Sequence, residues 1–297
     1  MPQEHLLWSL YLFEFGYFSL TLLCLRHAWK QAPYKAFSLI VAILYGFAVE
    51  YSAVIRDPAP YHYNFFLIEL PGPVPLGAIL GWGIIFYVVT ETATKLKSHW
   101  SVQAMFAAML ATCVDLVVDP IVVYVGFWTW TPQGPWFGIP WGNYVGWVVI
   151  VASLSVFLQL GYKKFPPGQK FGRDILVALG ATIPAFISVY ILLTGYLILT
   201  TKNWIPEVVI ANIFLGACLL FLLYNLPAMN RDNPIEWELL SVPAFFFPWS
   251  LIMLYLSGFY NLYPELIIVF PVFIALGLTG FFWPNINKIL LKHLDSR

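Results

Sequence analysis

Two aspartates, Asp115 and Asp119, stand four residues apart inside an apolar run. On a helix that spacing stacks both carboxylates on one face. Two further acids, Glu14 and Glu50, also lie within apolar runs, and no Lys or Arg sits deep in any run to neutralise them. A charged side chain at the centre of a bilayer costs about 3 kcal/mol on insertion scales, so acids in such places usually have a task. Adjacent carboxylates in a low-dielectric site cannot both ionise cheaply, and one is expected to keep a proton beside an ionised partner. That pair can protonate an alkene and activate a water. Any one of these acids could instead bond a neighbouring helix or cap a loop; the set of four favours chemistry. Asp115, Asp119, Glu50 and Glu14 are therefore the expected catalytic residues. Glu50 and Asp119 should lie in the outer halves of their helices, Asp115 a turn deeper, and Glu14 near the middle of the first helix.

Aromatic segments flank these acids. One is Tyr61-His62-Tyr63-Asn64-Phe65; another is Gly126-Phe127-Trp128-Thr129-Trp130; a third run, 134–144, carries Trp136, Trp141 and Asn143. An interfacial belt explains part of this. Electron-rich rings can also line a pocket for a long polyene and stabilise a carbocation through their faces. Tyr61, His62, Tyr63, Trp82, Trp128, Trp130, Asn143 and Trp147 are the expected substrate-binding set, with Asn143 placed to orient water or a carboxylate. His62, a lone histidine, reads as a hydrogen-bonding neighbour and not as a metal ligand.

The elements that must position these residues are membrane helices. Of 297 residues, 60% are hydrophobic and 10% charged, against roughly a quarter charged in a soluble domain. Nine runs are long enough to span a bilayer: 6–25, 37–55, 75–94, 101–125, 141–162, 174–200, 206–227, 240–258 and 265–283. The expected fold is an all-α polytopic bundle in one transmembrane domain, 1–297, with 1–162 as the catalytic half and 163–297 as supporting helices. Spanning strands are not expected, because the runs do not alternate with period two. The first run holds Glu14 and lacks a basic leader, so it is not expected to be a cleaved signal. Thirteen of the fifteen Lys and Arg fall in odd-numbered loops or at the C-terminus; only Arg56 and Lys202 fall in even-numbered ones. The expected topology puts the N-terminus outside and the C-terminus in the cytoplasm, in a cell (inner) membrane. Basic and acidic residues balance at 15 each, which excludes a nucleic-acid binder. Cys24, Cys113 and Cys218 read as small buried hydrophobes. There is no DDxxD, histidine cluster, GxGxxG, P-loop or Gly-x-Ser-x-Gly, so the chemistry is expected to need no metal and no cofactor.

Residues 50–82 and 115–147 align at an offset of 65 without gaps. Pro75, Gly77, Gly81 and Trp82 fall on Pro140, Gly142, Gly146 and Trp147, and Glu50 falls on Asp115. Each unit reads as a carboxylate in an outgoing helix, an aromatic outer loop, then Pro-x-Gly-x-x-x-Gly-Trp opening the returning helix. The expectation is a parallel two-helix internal repeat.

The stretches Asp115-Leu-Val-Val-Asp-Pro120, Gly126-Phe-Trp-Thr-Trp130, Phe137-Gly-Ile-Pro140 and Asn143-Tyr-Val-Gly-Trp147 resemble the signature of the membrane carotenoid hydratases. These are carotenoid biosynthesis proteins of the bacterioruberin and gamma-carotene hydratase type. Glu50, Tyr61-His62-Tyr63 and Val74-Pro-Leu76 are similar to that family's first half, so the resemblance covers about residues 45–150. It implies acid-base addition of water across a terminal isoprene double bond of an acyclic carotenoid; in such a reaction Asp115 or Asp119 would supply the proton, with Glu50 tuning it or activating water. The implied partners are a lipophilic isoprenoid or carotenoid and membrane lipid. The chain departs from the pattern at Arg56-Asp-Pro-Ala-Pro60 and in the proline-rich stretch 69–75, so the shape of the substrate mouth does not carry over. Two alternatives stay open: a protonation-initiated isoprenoid cyclase, and, in another class, a proton-coupled transporter.

Overall fold

The computed structural model describes residues 6–64, 66–202, 205–225, 230–231 and 236–294. Among these, nine helices are long and apolar enough to cross a membrane. They are α1 (Leu7–Gln31), α2 (Pro33–Val54), α3 (Leu76–Thr94), α4 (Trp100–Val125), α5 (Trp141–Lys164), α6 (Phe171–Thr201), α7 (Glu207–Asn225), α8 (Trp237–Leu256) and, after the single turn α9 (Phe259–Leu262), α10 (Leu266–Leu294). The protein is a polytopic all-α membrane protein.

Local chemistry sets the ends. Pro33 opens α2, where its missing N–H costs nothing. Gly126 closes α4 in the left-handed conformation (φ 93°), its N–H returning to Val122 and Val123 carbonyls. Pro75 and Pro140 sit just before α3 and α5 with nearly the same backbone, φ −65° in both and ψ 134° and 143°.

α1 differs from its expected span. It runs on to Gln31, so Arg26 and Lys30 lie on its last turns instead of in a loop. His27 in that stretch meets the Tyr87 hydroxyl at 2.8 Å, which gives the added turns a partner on α3. Glu14 consequently sits in the first third of α1, not near its middle.

α4 is the central helix, packed against α3, α5, α7, α8 and α10. Of its most apolar stretch 83% is buried, against 17% for α7 at the periphery. α1 lies against α2, α3 and α8, while α6 lies across α5 and α2. Cys24, Cys113 and Cys218 are free and lie within the helices.

The loops hold short ladders. β1 (Tyr61–Tyr63) pairs antiparallel with β5 (Trp128–Trp130). β2 (Glu69–Leu70) and β3 (Val74–Pro75) form a hairpin before α3, and β4 (Leu96–Lys97) pairs with β6 (Asn230–Arg231). Each of these ladders joins segments on the same side of the bundle, as strict alternation of the helices requires.

Candidate active site

A cavity of about 650 Å³ opens between α2, α3, α4, α5 and α6, roofed by β1 and β5. It gathers Glu50, Asp115, Asp119, Asn143, Tyr61, Tyr63, Trp82, Trp128, Trp130 and Trp147, all expected from sequence. The remainder of its wall is mainly apolar.

The aspartate pair lies on α4 as its spacing requires, with both side chains buried. The Asn143 amide, at the start of α5, donates to Asp115 Oδ2 at 2.7 Å and to Asp119 Oδ2 at 3.0 Å. One amide therefore bridges both carboxylates. Asp119 Oδ1 also accepts from the Trp128 indole N–H at 2.8 Å. Pro120 follows directly and has no N–H to give the carbonyl of Leu116, so α4 lacks one rung beside the pair.

Glu50 is held differently. Its Oε2 accepts from the hydroxyls of Tyr61 (2.6 Å) and Tyr63 (2.8 Å), and its Oε1 from the Trp82 indole N–H (2.6 Å). Three donors and no acceptor make this a site for a carboxylate. Burial, and next the nearby Glu50 charge, push both tyrosine hydroxyls well above their ordinary range. They stay protonated and remain donors at any physiological pH.

Two expected residues are not brought here. His62 is exposed, because successive strand residues face opposite ways and its neighbours Tyr61 and Tyr63 face inward. Its Nε2 meets Thr131 Oγ1 at 3.5 Å. Glu14 is buried but does not line the cavity: its Oε1 accepts from the Leu67 N–H at 2.9 Å. Phe65 lies outside the described residues. The cavity also has walls that the sequence did not point to: Tyr17 of α1, Tyr196 and other residues of α6, and Glu207. Glu207 is the first residue of α7; its Oε1 accepts from the Gly142 N–H (2.7 Å) and the Tyr196 hydroxyl (3.2 Å). Arg56, the exposed basic residue of the rim, donates to Ser52 O.

The two sequence units meet face to face. Tyr63 pairs with Trp128 at the end of the ladder, and Trp82 stacks on Trp147 with centroids 4.0 Å apart and planes 18° apart. Each contact joins a residue to the one 65 positions on. Gly72 and Phe137, also 65 apart, both have positive φ, 80° and 50°. A residue touches its own counterpart only close to a rotation axis, so the units face each other about such an axis beside the cavity.

Comparison with known sequences gives the family. The profile of the carotenoid biosynthesis protein family matches residues 8–219. The chain belongs to that family. The match extends well past 45–150 on both sides and takes in α1, α6 and most of α7, which wall or flank the cavity. The chain is also similar to a bisanhydrobacterioruberin hydratase from Haloarcula japonica, 28% identical over 194 residues. That alignment covers 62% of this chain and 62% of the relative. No solved structure matches.

Proposed function

We propose that this family member hydrates a terminal C=C of an acyclic carotenoid or related isoprenoid, without a cofactor. The observation that carries the reading is the Asn143 amide bridging Asp115 and Asp119 in a mainly apolar cavity that Glu50 shares. Asp119 receives two side-chain donors and Asp115 one. Donors favour the charged form, so Asp119 stays a carboxylate and Asp115 carries the transferable proton. Asp115 protonates the less substituted alkene carbon, leaving a tertiary cation. The faces of Trp82, Trp128, Trp130 and Trp147 and the Glu50 carboxylate stabilise it. Water adds to the cation, its released proton passes to the Asp119 carboxylate, and transfer to the neighbouring Asp115 closes the cycle. The name of the Haloarcula japonica relative, a hydratase, supports the same reaction class.

The test is expression in a host that makes acyclic carotenoids, with mass spectrometry of the extract. A product heavier by one water, absent with Asp115→Asn, is the expected result. A new isomer of unchanged mass would replace hydration with cyclisation by the same acid. No new carotenoid of either kind would overturn the proposal.

A further inference from the structure

The two repeat units are filled unequally. On α3, a Cβ added at Gly77 would come within 3.2 Å of Glu14, and one at Gly81 within 2.6 Å of the Tyr17 ring. The glycine face of α3 is therefore packed along its length by α1. On α5, a Cβ at Gly142 would meet Tyr196 at 3.1 Å and Glu207 at 3.2 Å, repeating the first contact with other helices. At Gly146, the counterpart of Gly81, a Cβ would meet nothing within 4 Å. Gly146 is nevertheless buried and lines the cavity. The volume that Tyr17 fills in one unit is open in the other.

Packing thus explains Gly81 and does not explain Gly146. A mid-helix glycine weakens a helix relative to alanine. Its three-residue spacing from Asn143 puts the two on one face of α5, with Gly146 about one turn deeper than the amide that bridges the acids. The cavity that Gly146 lines is mainly apolar, with Ile150 and Trp147 of α5 and Val189 and Leu193 of α6 in its wall. A group seated there shares the cavity with the acids and makes no atomic clash at Gly146.

We propose that the open volume over Gly146 is the subsite for the branched hydrocarbon end group of the substrate, and that Gly146 sets its size limit. This rests on the hydration reading for the identity of the ligand as an isoprenoid. The chemistry fits: a gem-dimethyl alkene terminus needs apolar walls, a small residue where its methyls sit, and an acid in the same cavity.

The test replaces Gly146 with Ala, Val and Leu in the full chain, with Gly180→Leu and Gly81→Ala as comparisons. Gly180 lies exposed on α6, off the cavity, with nothing within 4 Å of an added Cβ. Three readings are taken in a host that makes acyclic carotenoids: the unfolding midpoint of the purified protein, the carotenoid that copurifies with it, and the yield of water adduct. The Gly146 series should keep its midpoint while adduct and bound carotenoid fall stepwise with side-chain size, by tenfold or more at Leu. Gly180→Leu should change neither, and Gly81→Ala should lower the midpoint. Wild-type yield and wild-type carotenoid binding in Gly146→Leu would overturn the subsite. If Leu fails to fold, the Ala and Val variants decide, since undiminished binding and yield in both would overturn it equally. A wild type that binds carotenoid but makes no adduct would sink the hydration reading alone, and loss of binding across the series would still support the subsite.

Discussion

Asp115 and Asp119 differ in their partners, and that difference predicts their mutants. Asp115→Asn keeps the shape but removes the transferable proton, so turnover should fall roughly a hundredfold or more, the usual value of a positioned acid. Asp119→Asn should lose a similar factor, because the amide cannot hold the proton on its neighbour. Both proteins should insert and purify as the wild type does; near-normal turnover in both would place the acid elsewhere. Glu207 calls for a graded pair. Its Oε1 accepts the Gly142 N–H one residue before Asn143, so it steadies the start of α5 that carries the bridging amide. Glu207→Gln retains an acceptor and should stay within a few-fold of wild type, whereas Glu207→Ala should lose about tenfold in kcat with little change in KM. Equal loss in both would mean that Glu207 contributes its charge and not its position. The acid pair was legible because four-residue spacing on a helix survives folding intact. Glu207 was not, since its partner is 65 residues away in sequence and no local pattern marks it. That His62 would face away from the cavity was not legible, because a three-residue strand is too short to reveal which residues alternate outward.

At the scale of elements, all nine spans were legible, since hydropathy reports the lipid directly, but edges were not: α2 begins at Pro33 and α10 runs on to Leu294. The long extension of α1 was not, because Arg26, His27 and Lys30 imitate a loop while extending a helix. The repeat was legible as spacing, but its meaning lay in contacts. Trp82 shows this: its ring stacks on Trp147 and its N–H holds Glu50, so one residue ties both units to one acid. Trp82→Phe keeps the stack and deletes the donor. Leaving one oxygen of a buried carboxylate without its partner costs about 1–3 kcal/mol. The variant should unfold at a lower temperature and turn over several-fold more slowly; a midpoint and rate both equal to wild type would show that Glu50 does not depend on this bond.

For the whole molecule, the ladders and the charges constrain sidedness independently. β1 with β5 joins the α2–α3 and α4–α5 connections, and β4 with β6 joins the α3–α4 and α7–α8 connections. Adding or removing one crossing between these loops would put ladder partners on opposite sides of the membrane. The parity of the topology therefore follows from backbone hydrogen bonds. Its sign is an expectation from charge: thirteen of fifteen basic residues belong to one set of loops and helix ends, counting the C-terminus, and the positive-inside tendency places that set in the cytoplasm. On this reading the acids, the aromatic ladder and Arg56 all lie toward the outer face. Single cysteines test it, since the native Cys24, Cys113 and Cys218 lie within helices. Gln133→Cys, exposed in the α4–α5 connection, should react with an impermeant maleimide added outside intact cells. Lys164→Cys, exposed at the end of α5, should react only after permeabilisation. Labelling of both from the same side would break the alternation that the ladders require. Labelling in the reverse order would keep the fold and invert it in the membrane, moving the acids to the cytoplasmic face and the route of water to them with it.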